Sequence, residues 1–109
     1  MVRHIEDVDP VACPCGQAHR IITSQDTADV GLHVTDLGGA RSHYHRKTTE
    51  VYYIMEGVGE MELGDQVYAV RPGHAILIPP GVPHRAIGQF RAVITTVPAF
   101  DPDDEHMCE

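Results

Sequence analysis

From Arg20 to Val97 the chain is a series of short apolar runs separated by glycine, proline and acidic residues. The run "DVGLHVTDL" alternates, with Val30, Leu32 and Val34 on one face and His33 and Thr35 on the other. That period of two predicts a strand. "TEVYYIMEG" is dense in β-branched and aromatic residues, and "EGVGEMEL" follows it through a glycine turn. Gly64-Asp65 joins "EMEL" to "QVYAV" as a tight hairpin. "HAILIPPGVPH" supplies a further strand and a turn, and "FRAVITTVP" the last long strand. No window of about 11 residues shows a 3.6-residue period. The pattern predicts about eight or nine short antiparallel strands, hence an all-β fold, a small antiparallel jelly-roll barrel. The barrel spans 20–100, after an N-terminal arm (1–19) with little periodicity and before a short acidic tail (101–109).

At 109 residues the chain is one domain with a modest core. The formal net charge of -8 is concentrated at the ends: residues 1–12 carry -2 and residues 101–109 carry -5, leaving the body near neutral. An acidic chain without a basic stripe argues against nucleic acid as a partner. The tails read as solvated charge. No apolar stretch approaches the roughly 18 residues that span a membrane, and "MVRHIEDVDP" is no signal peptide. The expectation is a cytoplasmic protein without a membrane partner. Three cysteines are too few for a disulfide framework. Cys13 and Cys15 in "CPCG", with Cys108 in "EHMCE", therefore read as free thiols, since their spacing does not suit structural zinc.

Chemistry concentrates in "RSHYHRKTTEVYYIMEG". In a strand, residues i and i+2 share a face, so His43 and His45 can converge on one point. Glu50 is an odd step from His45, so the intervening "RKTT" must bend for Glu50 to rejoin that face from the next strand. Pro79, Pro80 and Gly81 form a tight turn that can bring His84 inward from a distant strand. Three imidazoles and a carboxylate suit one divalent transition metal: Fe, Mn, Ni, Co, Cu or Zn. In an octahedral field these four ligands leave two positions for water, dioxygen or a chelating substrate.

These residues carry a family resemblance. His43, His45, Glu50 and Gly57 fit His-x-His-x4-Glu-x6-Gly, and Gly73, Pro79, Gly81 and His84 fit Gly-x5-Pro-x-Gly-x2-His. The pair resembles the two motifs of the cupin superfamily and covers most of Leu37 to His84. The resemblance implies a cupin-like barrel in which His43, His45, Glu50 and His84 bind the metal. Two turn positions depart from the pattern: Gly38 lies one residue closer to His43 than usual, and Gly88 replaces an asparagine often found after the last histidine.

Beyond the ligands the pattern is less specific. By parity with His43, Arg41 looks inward, and Tyr52 shares the face of Glu50; both are candidate substrate contacts. His74 serves a turn. If Val30, Leu32 and Val34 face outward, His33 points into the barrel, but the reverse assignment is equally open. A pocket in so small a barrel takes a small substrate. A metal with two open positions suits one that chelates through adjacent oxygens, and Glu50 is the carboxylate able to move a proton. The leading expectation is a metal-dependent, dioxygenase-type enzyme. A sugar or sugar-phosphate isomerase ranks lower, because phosphate would want more inward basic residues than Arg41. A binding or sensing module without turnover is the alternative from another class. Apolar residues on both faces of "VYYIMEG" and "RAVITTV" predict a homodimer.

Overall fold

Two long strands, β5 (Thr49–Leu63) and β8 (His84–Val97), are paired along their whole length and carry the architecture. The computed structural model describes residues 1–108. Seven shorter strands complete it: β1 (Val11–Cys13), β2 (Gly16–Ile22), β3 (Gly31–Leu37), β4 (His43–Tyr44), β6 (Gln66–Val70), β7 (Ala75–Ile78) and β9 (His106–Met107). Every pairing is antiparallel. The first half of β5 pairs with β7 and its second half with β6. Along the opposite edge of β8, residues 90–96 pair with β3, and His84 pairs with His43 of β4. The central hairpin thus belongs to both walls of the barrel.

A strand pair that serves two walls must bend in the middle, and glycines sit there. Gly57 has φ +81° and faces Phe90, while Gly59 faces Gly88, which has φ +98°. A Cβ at Gly57 would lie 2.8 Å from the Gln89 carbonyl oxygen and 2.9 Å from the Phe90 Cα. The buried Phe90 ring lies against Gly59 in the space these missing side chains leave. These glycines are kinks within strands, where the sequence suggested turns between them. "TEVYYIMEG" and "EGVGEMEL" are therefore one strand, and His84 opens the strand that ends at Val97. The Gly64-Asp65 hairpin forms as expected, with Leu63 opposite Gln66.

The inner face is graded in register. Met61, Ile54, Ile76, Ile78, Ala92 and Ile94 fill the core beside Tyr52 and Phe90. The outer faces of β5 and β7 expose Val51, Tyr53, Met55 and Leu77 instead. β3 presents His33 and Thr35 inward, with Leu32 and Val34 on the other face. That settles the parity the sequence left open.

Both ends of the chain are more structured than their composition suggests. The arm does not end at residue 19, because β1 and β2 form a hairpin from Val11, and β2 pairs with β3. Cys13 and Cys15 are disulfide-bonded and only Cys108 is a free thiol. The acidic tail is docked rather than simply solvated. Asp104 is buried at the end of a single 3-10 turn, and β9 pairs with β4. The docking uses two carboxylates, Asp104 and Asp101 (2.7 Å from Lys47 Nζ), and main-chain hydrogen bonds, none of which leaves an apolar period in the sequence. Among the described residues, no helix is long and apolar enough to cross a membrane.

The bend makes a direct prediction. Gly57→Ala introduces strain at positive φ and a clash with the backbone of β8, so it should cost about 2–4 kcal/mol. Urea unfolding should show a lower midpoint with an unchanged slope.

Candidate metal centre

His43 and His45 lie at and just beyond the two-residue strand β4, and both are buried. The chain then bends through Arg46 and Lys47 and returns as β5, which brings Glu50 back to the same interior space. His84 begins β8 directly opposite His43. Gly81, at φ +85° in the preceding turn, donates its N–H to the His45 carbonyl at 2.6 Å. That bond ties the two ligand-bearing segments together. One donor atom from each of His43, His45, Glu50 and His84 lies within 4.8 Å of the others, and all four residues are buried.

The hydrogen bonds behind the rings determine which nitrogens face inward. Nδ1 of His43 lies 3.0 Å from the Arg41 carbonyl, Nδ1 of His45 3.0 Å from the Asp104 carbonyl, and Nδ1 of His84 3.0 Å from the Val82 carbonyl. A carbonyl only accepts, so each Nδ1 carries the proton and each neutral ring presents a bare Nε2. Such main-chain acceptors fix the ring orientation of metal-bound histidines. Nε2 of His45 and of His84 lie 3.0 and 3.1 Å from Oε1 of Glu50. These three atoms are buried without a satisfactory hydrogen bond. Lone pairs in such proximity require a cation, either added protons or a metal ion. The donor set therefore fits a divalent transition metal.

When protons occupy the site, the burial that alone would push the Glu50 carboxyl up is outweighed by hydrogen bonds from His45 and His84, which hold it down at about 2. Burial works against a charged His45, yet Glu50 outweighs it and raises the His45 pKa. His43 is lowered to about 4 by burial and the neighbouring His84. The bend itself is anchored from the tail. The Asp104 carboxylate accepts from the Arg46 N–H (2.9 Å), the Lys47 N–H (3.1 Å) and the Thr48 hydroxyl (2.9 Å). These bonds overcome the burial that would raise its pKa and lower it instead.

His43, His45 and Glu50 border a chamber of about 20 Å³, which also touches Arg20, His33, Thr35, Tyr52, Phe100 and Glu105. That is room for about one water. Tyr52 is fully interior, its ring 6.2 Å from that of His84, and burial raises its phenol well above the ordinary value. Arg41 does not line this chamber. It is exposed in the loop before β4, its N–H bonded to the Pro14 carbonyl. Strand parity does not extend into a loop, so the inference from His43 fails there. The basic residue of the chamber is Arg20, cross-strand partner of His33. Its clue was the alternation of "AHRI" with Ala18, which the boundary drawn at residue 19 concealed. Phe100 and Glu105 come from a tail that carries no pattern.

The sequence pattern of the cupin domain matches residues 32–97, more than half of the chain. The chain belongs to the cupin superfamily. An uncharacterized protein of Methanocaldococcus jannaschii is 34% identical over 71 residues, 62% of this chain and 57% of that one. This cupin thus spans less than two thirds of that relative's length. A crystal structure of a protein from Planctomyces limnophilus superposes with a TM-score of 0.90 at 34% identity, covering 98% of this chain and 96% of that one. The polyketide cyclase RemF of Streptomyces resistomycificus superposes with a TM-score of 0.78 at 27% identity, covering 100% and 86%.

A cation site of this kind competes with protons. Because Glu50 raises the His45 pKa, protons occupy the site increasingly as pH falls. Metal affinity should therefore rise with pH between roughly 5 and 8, with proton release on binding. Elemental analysis after reconstitution should find one transition metal per wild-type chain and a large loss in His84→Ala and Glu50→Ala. Calorimetry in buffers of different ionisation enthalpy should detect the released proton.

Proposed function

We propose that this cupin is a metal-dependent enzyme of the oxygenase type, acting on a small oxygenated metabolite that chelates the metal through adjacent oxygens. The observation that supports it is the donor set itself. Three imidazoles and one carboxylate hold their donor atoms within 4.8 Å of one another beside a water-sized chamber, a set that would leave two positions on an octahedral ion. A bound divalent metal would supply Lewis acidity toward the substrate oxygens and, if redox-active, one-electron chemistry with dioxygen.

The chain's own groups have definite parts in this reading. Glu50, the carboxylate of the donor set, is the catalytic carboxylate that accepts a proton from a substrate hydroxyl. Tyr52 stays protonated at neutral pH and offers its hydroxyl to the substrate. Burial of the surrounding side chains excludes bulk water, which strengthens each of these interactions.

A second reading is proton transfer without oxidation, as in an isomerase or cyclase. The pairing of a buried phenol with an ionised carboxylate beside the same space favours it, as does the likeness to a polyketide cyclase. One experiment separates the two. Fe(II)-loaded protein is offered hydroxy-carbonyl, enediol and catechol compounds in an oxygen electrode. The first reading expects dioxygen consumption matched to product, reduced about 100-fold or more in Glu50→Gln. Equal product formation under argon would replace it with the second.

The outer face supports a homodimer. Val51 and Leu77 are cross-strand neighbours there, Tyr53 and Met55 continue the patch, and all but Met55 and Val51 are at least half exposed. Such an apolar surface is better covered by a twin than left in water. Light scattering should give twice the 12.0 kDa chain mass, and the double change Tyr53→Glu and Leu77→Glu should give the monomer.

A further inference from the structure

Four polar groups around the chamber have no place in the metal reading. Arg20 and His33 face each other across β2 and β3, and Thr35 lies on the next inward row, opposite Ala18. His33 and Thr35 are 6% and 0% exposed. The Arg20 Nε, the His33 Nε2 and the Thr35 Oγ1 are buried without hydrogen-bond partners. The fourth group is Glu105, half-buried at the same chamber. Three buried polar atoms left unpaired on one wall cost several kcal/mol unless something fills them. All three can donate, and a guanidinium does nothing else.

The position of this wall limits what the partner is. A second cavity of about 240 Å³, lined by Arg20, Thr23, Ser24, Gln25, His33, Phe100 and Pro102, lies outside the chamber. Arg20, His33 and Phe100 line both spaces. The Arg20 guanidinium carbon lies 4.5 Å from the centre of the Phe100 ring, which holds it flat on this boundary. A group bound here reaches the metal ligands on one side and a polar bay on the other.

Charge supplies the last constraint. With a divalent ion in place, the ion and Arg20 outweigh Glu50 and Glu105 by one positive charge. Without the ion the same groups carry one negative charge. A monoanion is therefore favoured in the loaded chamber and repelled from the empty one. We propose that Arg20, His33 and Thr35 form an anion subsite next to the metal, and that the ligand is a small monocarboxylate bearing a hydroxyl or keto oxygen. Its body lies in the outer bay of about 240 Å³, its carboxylate takes the unpaired donors of the wall between, and its other oxygen enters the water-sized chamber to face the ion. A phosphate is disfavoured, since its dianionic form asks for more than one guanidinium. This assignment rests on the reading that the four ligands hold a divalent ion.

The test uses the full chain loaded with Co(II), whose visible spectrum reports oxygen ligands at the metal. Glycolate and pyruvate are titrated by calorimetry and absorbance, with hydroxyacetone as the uncharged analogue and inorganic phosphate as the competing anion. The acids should bind one per chain, perturb the spectrum, and bind about tenfold or more tightly than hydroxyacetone. Arg20→Gln should lose most of that preference while keeping one Co(II) per chain. Thr35→Val, nearly isosteric, should weaken the acids by a smaller factor and leave hydroxyacetone unchanged. Metal-free protein should bind none of them. Wild-type protein that keeps Co(II) but binds hydroxyacetone as well as pyruvate, or prefers phosphate, overturns the subsite and leaves the metal reading intact. Failure to hold Co(II) overturns both.

Discussion

Bare nitrogens and a carboxylate pressed together in a dry space repel one another unless a cation lies between them. This constraint organises the protein. The Nε2 atoms of His45 and His84 lie about 3 Å from the same Glu50 oxygen, and main-chain carbonyls behind the rings take the protons that would otherwise relieve the conflict. Imidazolium formation can relieve it only by charging a buried ring. A divalent ion relieves it with ligands already in place. The barrel around the site therefore has to be rigid enough to hold four donors together, three of them at repulsive distances, and cross-strand pairing supplies that rigidity. His43 is fixed opposite His84, and Glu50 opposite Thr96 and Ile78.

The weakest link in that arrangement is the bend between His45 and Glu50, because it lies outside any ladder. Asp104 compensates for this. One buried carboxylate takes three donors from the bend while the carbonyl of the same residue orients the His45 ring. A tail residue 57 and 58 positions downstream of the bend thus sets both the path of the loop and the tautomer of a ligand. Its low carboxyl pKa has a linked effect on stability. The contribution is present above the ordinary carboxylate range near pH 4 and is lost as pH falls through the lower folded-state value. Acid should therefore loosen the tail and the site together.

How much of this was legible from sequence depends on whether the information was local. The spacing of His43, His45 and Glu50 forces a bend, and the bend is there. The turn at Pro79 to Gly81 delivers His84 as its residues imply. Both are short-range consequences of strand geometry and turn chemistry. The glycines of the central hairpin were misread because a glycine that ends a strand and one that kinks it look alike in sequence. Only the opposed Phe90 and Gly88 distinguish them. Arg41 was placed inward by carrying a parity past the end of a two-residue strand. Arg20 has a local clue in its alternation with Ala18, but Phe100, Asp104 and Glu105 leave none, since each reaches the site by docking of the tail against segments far along the chain.

The register of the inner face explains why site and core cannot be altered independently. Gly31, Thr96, Glu50 and Ile78 form one row across β3, β8, β5 and β7, and Arg20, His33, Ile94, Tyr52 and Ile76 form the next. Within each row the polar groups lie toward the chamber and the far aliphatic groups, Ile78 and Ile76, toward the core, with Tyr52 and Ile94 belonging to both. A polar row of this kind destabilises an empty barrel, because its atoms are desolvated before they are paired. The apolar ends of the same rows offset that cost through burial. Stability stored in Ile78, Ile94 and Ile76 therefore permits strain at Glu50 and unpaired donors at His33 one strand away, and a ligand that satisfies those donors should stabilise the whole sheet through the same register.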